Sequence, residues 1–353
     1  MKRSLKWVFT VMFVLVLASA NQGCQPHTGP RPTTNYLELT PIPTVPTPTF
    51  RPTYTPTPLP LGDPANPIIM GFIASEASSE QTTAANDLTR QLSQALGLQI
   101  TAQIFPTYNE FERSLRSGSV QIAWLESVEY ILASKSGSFK AGLLTNHLGI
   151  TALGVQFFAH KDSGFTSFFD IAADQSTANA VTALAQFSGM RPCLVNDNSL
   201  SAYWVPLGLL TQVGVVMLEP SYTNSTTANI RALYVKGVCD FTGTYALSGD
   251  PRTASAITTD LPDVMQQIII IWRSDALIPN LSLSFSNKLD LPLQKQLQEA
   301  LIALSRTPEG LKLLSDANAY SIEALEPTED TAYDELRSLL EIQKVNLRTL
   351  VDQ

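Results

Sequence analysis

From residue 68 onward the chain alternates between short apolar runs and longer amphipathic ones. PIIMGFIA, LQITAQIF and VQIAWL read as strands, the last apolar on both faces. SSEQTTAANDLTRQLSQALG and TYNEFERSLRSG carry helical spacing and close on Gly97 and Gly118, where helices often end. SVEYILAS follows as a helix, and AGLLTN and TALGVQFFAHKDSG as strands. Past Gly164 comes FTSFFDIA, then ADQSTANAVTALAQFSG is expected as a helix and RPCLV as a strand. SAYWVPLGLLTQVG and TTANIRALYVKG read as helices, VCDFTGTYA as a strand and loop, and MQQIIIIW as a strand. The chain ends in LPLQKQLQEALIALSRT, PEGLKLLSDA and TAYDELRSLLEIQKVNLRTL, three helical segments with hardly a strand between them. Strands alternating with helices imply an α/β protein with parallel or mixed sheets covered on both faces. Ligands of such sheets bind beyond the carboxyl ends of the strands.

The N-terminal pattern is different. MKRSLK is basic, and WVFTVMFVLVLASA is an apolar run of about 14 residues, the shape of an export signal rather than of a spanning helix. It leads to Gly23 and Cys24, the small residue and cysteine of a lipoprotein-type signal. Residues 1–24 are therefore expected to be a signal cleaved before a lipidated Cys24, with ordinary signal cleavage nearby and a free Cys24 thiol as the alternative. Thirteen of the 23 prolines fall in 25–67, in phrases such as TPIPTVPTPTF, a stretch too poor in core residues and backbone donors to pack. It is expected to be a disordered, extended Pro/Thr stalk, reaching on the order of 100 Å at about 3.1 Å per residue. The folded part then begins near residue 68.

Charge and composition narrow the chemistry. The net charge is −8 with no clustered basic stripe, which disfavours nucleic acid and anionic lipid surfaces as partners. There is no Gly-x-Gly-x-x-Gly, no phosphate loop of the Walker type, no His-Glu-x-x-His and no Cys-x-x-Cys. The three histidines, His27, His147 and His160, have no metal-ligand spacing, so an enzyme, a metal and a cofactor are not expected. Cys193 and Cys239 form an isolated pair. In an oxidising compartment they read as a disulfide, with two buried thiols as the alternative. Residues 195–210, VNDNSLSAYWVPLGLL, place Ser199 and Ser201 before a helix-like run. Taken alone they are a helix cap, and the other reading is a seat for an anion at a helix start.

Several segments in order resemble the phosphate/phosphite/phosphonate-binding proteins of ABC importers. RSGSVQIAWLESVEYILA resembles that family's helix leading to a strand of the form Asp-Ile-Ala-Trp-Leu-Gly-Pro-x-x-Tyr. NDNSLSAYWVP resembles Asp-Pro-x-Ser-x-Ser-Gly-Tyr-x-x-Pro, and IRALYVKGVCDFTGTYA resembles Ala-Leu-x-x-Gly-x-x-Asp-x-Gly. IIIIWRSDALIPN is similar to the strand ending in Ile-Pro-Asn, and LIALSRTPEGLKLL to the family's late helix pair.

The resemblance implies a type II periplasmic-binding-protein fold: two α/β lobes with mixed sheets, joined by a two-strand hinge, closing on a ligand. Lobe 1 would hold about 68–155 and 270–353, and lobe 2 about 156–269, with crossings near 154–157 and 268–272. It implies an extracytoplasmic, membrane-anchored and monomeric lipoprotein that delivers a small oxyanion to a membrane permease. The alternative is a receptor subunit for a sensory partner. Ser199, Leu200, Ser201 and Ala202 would donate hydroxyls and N–H groups to the oxyanion. Tyr108, Tyr130 and Tyr203 would line the site, with core packing as the other role open to each aromatic. Glu126 stands where the family has Gly, Thr226 near a family His or acid, and Tyr245 where some members have Asp. A carboxylate at Glu126 would oppose an anion unless turned away or matched by a ligand cation.

Overall fold

The computed structural model describes Gly29 and residues 59–351, and the contacts divide the chain after Pro56, with residues 57–353 as one compact unit. The signal segment, the lipidation candidate Cys24 and nearly all of the stalk lie outside the described residues.

The first part reads β1 (Ile68–Ile73), α1 (Ser79–Leu96), β2 (Ile100–Phe105), α2 (Tyr108–Ser117), β3 (Ile122–Leu125), α3 (Ser127–Ser134) and β4 (Phe139–Asn146). Local chemistry sets these boundaries. Ser78 and Thr107 cap α1 and α2 by accepting from the N–H groups of Gln81 and Glu110. Gly97 and Gly118 end the two helices at φ 68° and 70°, left-handed values that a side chain would oppose.

Then come β5 (Ala152–His160), the small hairpin β6 (Phe169–Asp170) and β7 (Gln175–Ser176), α4 (Ala180–Leu184), β8 (Pro192–Leu194), α5 (Val205–Gln212) and β9 (Ser221–Tyr222). The series continues with α6 (Thr226–Val235), β10 (Phe241–Ala246), α7 (Ser255–Asp260), α8 (Val264–Gln267), β11 (Ile268–Arg273) and β12 (Ile278–Pro279). The chain closes with β13 (Ser282–Ser286), α9 (Leu291–Leu304), α10 (Pro308–Asn318), β14 (Ala324–Pro327) and α11 (Asp334–Ile342).

Two mixed sheets organise these elements. The first has the order β14-β4-β13-β3-β1-β2, with β1 parallel to β2 and β3, and β13 antiparallel to β3 and β4. The second has the order β11-β5-β10-β8-β9, with β12 paired to the start of β5. β11 stays entirely on β5, and the chain returns to the first sheet through 274–281, where Asn280 donates to the carbonyls of Thr145 (3.2 Å) and Ile150 (2.8 Å). One core cluster packs the first sheet against α1, α9 and α10 through Leu88, Leu92, Leu297, Leu301 and Leu314. A second runs from Phe111 and Tyr130 through Phe157 and Phe187 to Leu339, binding residues of both sheets. A third surrounds Cys193 and Cys239, which are bonded in the structure with their Cα atoms 5.4 Å apart.

The structure corrects several element assignments. The helix expected over ADQSTANAVTALAQFSG contracts to α4 and a 3-10 turn at Ala185–Phe187, because its polar start pairs as β7 and Asn179 caps a later turn. Two strands fall where the sequence pattern assigns no element, one before the three C-terminal helical segments and one between the last two. SLSFS is the wholly buried β13, where the Ser282 hydroxyl donates to the Leu125 carbonyl. ALEP is β14 on the edge of the first sheet. The last helix stops at Ile342, where Lys344 turns left-handed at φ 53° and a 3-10 turn follows at Leu347–Leu350.

Candidate functional site

A cavity of about 440 Å³ lies where the starts of α3 and α5 come near each other. It is lined by Glu126, Ser127 and Glu129 from the start of α3 and by Asn198, Leu200 and Ser201 ahead of α5. Leu153, the crossing segment at 278–281, Tyr320, Leu350 and Val351 line it as well. The cavity therefore meets both sheets at the strands that join them, and a solute inside would touch both halves at once.

Each wall is built by helix-start chemistry. α3 opens with a capping box in which the Glu126 N–H donates to Glu129 Oε2 at 2.7 Å. Ser127 donates its hydroxyl to the Pro279 carbonyl, tying α3 to the crossing segment. On the other side, Leu200–Trp204 forms a single π-helical turn leading into α5. Ser199 accepts from the Ala202 N–H at 3.0 Å and Trp204 Nε1 donates to the Asp197 carbonyl at 2.6 Å, so both ends of the turn are pinned. π turns of this kind are frequent at functional sites.

The electrostatics are those of a carboxylate pocket. No Lys, Arg or His is among the residues that line it. Glu126 is open to the cavity, yet the surrounding protein desolvates its carboxyl enough to push it above the ordinary carboxylate range. Glu129 sits deeper, and burial, with the Glu126 charge added, pushes it up to about 8. At neutral pH Glu129 is thus mainly protonated and offers an O–H donor in place of a second negative charge.

The residues expected to form the site separate clearly. Glu126 and Ser201 line the cavity. Ser199 and Ala202 lie beside it, with the Ser199 hydroxyl and the Ala202 N–H spent on each other. Tyr203 is partly buried against Trp204, ring centroids 4.9 Å apart, and burial with the Tyr222 hydroxyl pushes its phenol up to about 12. Tyr108 is buried under α3 and donates to the Glu129 carbonyl at 3.1 Å, holding the first turn that carries the glutamates. Tyr130 is buried on the far side of α3, where it donates to Asp330 at 2.6 Å and accepts from the Ala141 N–H. Thr226 begins α6 beside Thr244, their hydroxyls 3.2 Å apart, and Tyr245 lies on β10. The cavity lining does not include Tyr108, Tyr130, Tyr203, Thr226 or Tyr245.

Sequence reasoning passed over Asn198, Ser127, Asn280, Tyr320, Leu350 and Val351. Asn280 ends the IPN segment and could have been found there, since an asparagine after a proline at a strand end is a ready carbonyl-pinning residue. The two residues from the end of the chain left no signal.

A second cavity, about 450 Å³, lies between α3 and α11 beside Lys135, Asp330, Arg337 and Lys344. Arg337 is already committed to Asp330, Asp334 and Ser134. Among the described residues no group of three His, Cys, Asp or Glu could hold a metal, and no helix is long and apolar enough to cross a membrane.

A family model described as "ABC transporter, phosphonate, periplasmic substrate-binding protein" matches residues 70–333. Two solved structures of XAC2383 from Xanthomonas citri, one bound to chloride ion and one to ATP, are 17% and 18% identical. Each alignment covers 80% of this chain and 98% of the other, with a TM-score of 0.52. PhnD1 from Prochlorococcus marinus in complex with methylphosphonate is 13% identical over 79% of this chain and 98% of that one, with a TM-score of 0.45. No curated protein matches the chain.

Proposed function

The chain belongs to the family of phosphonate-type periplasmic substrate-binding proteins of ABC transporters, and from that premise we propose that it captures a small oxyanion of the phosphate, phosphite or phosphonate class between its two lobes and hands it to a membrane permease. Lobe 1 is built on the first sheet and lobe 2 on the second. Because β5 and β11 belong whole to the second sheet, the expected bounds of about 68–155 and 270–353 for lobe 1 and 156–269 for lobe 2 move to about 68–151 and 274–353 against 152–273. Attachment is through a lipid on Cys24, with the Pro/Thr stalk giving the monomeric domain reach from the membrane.

One observation carries this reading: a single cavity is walled by two helix starts, one from each half, at the junction between the sheets. Converging N–H groups and hydroxyls suit a tetrahedral anion without any proton transfer. The oxyanion lies toward the free hydroxyl of Ser201 and the carboxamide of Asn198, away from Glu126. Protonated Glu129 supplies a donor rather than a repelling charge.

The test is a thermal-shift series on residues 59–353, refolded to remove carried-over solute, against phosphate, phosphite, methylphosphonate and sulfate. A solute at a hundred times its dissociation constant adds about 2.7 kcal/mol, on the order of 5–10 °C for a domain of this size. One oxyanion raising the melt in wild type, with the rise lost in Ser201→Ala, supports the reading. A melt that none of them moves refutes the oxyanion assignment.

A further inference from the structure

Residues 343–351 touch both halves of the fold. Beyond α11, Gln343 donates to the Leu207 carbonyl at 3.2 Å and to the Thr211 hydroxyl, both on α5. The left-handed turn at Lys344 then reverses the chain toward α2 and α3. There Leu347 is buried in the large core cluster, and Arg348 donates to Glu112 Oε1 on α2 at 2.8 Å. Glu112 is itself nearly buried, and its bond to Arg348 holds its carboxyl below the usual range against the opposing effect of burial. Just beyond Arg348, Leu350 and Val351 line the same cavity as Glu126 and Ser201.

Two anchors five residues apart thus tie α5 to α2. A hinge motion that separates α5 from α2 must release Gln343, release Arg348 or extend the left-handed turn at Lys344 between them. Resting on the reading of this cavity as the solute site, we propose that Gln343–Val351 is a specificity-determining latch: Gln343 and Arg348 hold the lobes together, and Leu350 and Val351 set how long a solute the closed cavity admits. Their side chains are apolar, so they exclude the alkyl end of a solute by volume and leave its charged end to the helix starts. The length limit therefore belongs to the chain's last turn rather than to the helices that bind the anion.

Two measurements test this. The first, without solute, is amide exchange in the lipid-free chain carrying Gln343→Ala or Arg348→Ala. Faster exchange in both 127–134 and 200–212, with β1 and β13 unchanged, is expected, and unchanged exchange in both segments overturns the latch. The second is titration calorimetry with methyl-, ethyl-, propyl- and butylphosphonate. Replacing Leu350 and Val351 by Ala should shift the preferred chain length upward, with about fourfold in affinity for each methylene newly accommodated. A wild type that binds the series and a double variant with the same length preference overturn the role of these two side chains. If wild type binds none of the four, the oxyanion assignment falls, and the exchange experiment, which needs no solute, still upholds or overturns the latch.

Discussion

Replacing Glu129 with Gln should make the protein's stability less sensitive to pH, and the sign can be worked from the site. A glutamate in the unfolded chain titrates near 4.5, whereas burial and the neighbouring Glu126 push Glu129 up to about 8 in the folded protein. Between these values the folded state holds a proton that the unfolded chain has lost, so stability falls as pH rises through that window. Below it both states are protonated and the full contribution remains. Each pH unit is worth about 1.4 kcal/mol, and water in the cavity screens part of it, so the loss across the window is on the order of 2–5 kcal/mol. Gln keeps the shape and retains an oxygen that can accept from the Glu126 N–H, now 2.7 Å from Glu129 Oε2, but it cannot ionise. Wild type and Glu129→Gln should therefore melt alike near pH 4.5 and diverge as pH rises. Above pH 8 the variant should be higher by about 5–15 °C. Differential scanning calorimetry from pH 4.5 to 9 reads this directly. A constant offset between the two proteins, or a wild type that gains stability from pH 5 to 8, refutes the argument that Glu129 is held protonated.

Three further outcomes follow from other contacts. Ser199→Ala removes the acceptor for the Ala202 N–H and should cost about 1 kcal/mol in denaturant unfolding, whereas Ser201→Ala should leave stability unchanged and weaken solute binding; equal effects of the two on either readout would undo the division of labour. Gly208→Val should destabilise by about 1–3 kcal/mol, since even a Cβ there would stand 3.0 Å from Leu339 on α11, and an unchanged urea midpoint would show that the α5–α11 contact is soft. Replacing both Cys193 and Cys239 by Ser opens a loop with a separation of 46 residues and should lower stability by about 4 kcal/mol, measured by denaturant unfolding with the oxidised wild type as reference.

Much of the fold was legible along the chain because its signals are local. The spacing in SSEQTTAANDLTRQLSQALG, its capping serine and its closing Gly97 decide α1 within 20 residues, and the apolar run in VQIAWL makes β3 a buried strand wherever it lands. LSLSFS was not legible in that way. Its serines look like a loop until β3 and β4 supply carbonyl and N–H partners on both sides. The same holds for ALEP, a strand only because β4 has a free edge.

The site divides along the same line. From NDNSLS alone Ser199 and Ser201 could not be told apart. Two residues of offset on the π-helical turn commit the first hydroxyl to the backbone and leave the second facing the cavity. Glu126 was conspicuous as a carboxylate where the family carries glycine, but its raised affinity for protons comes from the protein that packs around it. Tyr108 and Tyr130 are attractive as ligand aromatics in a one-dimensional reading. Packing places them beneath α3, where their hydroxyls serve backbone and Asp330. What the sequence by itself determined was the alternation of strand and helix, the export-type N-terminus and stalk as expectations, and the family, all read from neighbours in the chain. Which side chains share the cavity, and that Leu350 and Val351 line it together with Glu126, was decided only by tertiary packing, because residues more than 200 positions apart leave no periodicity to read.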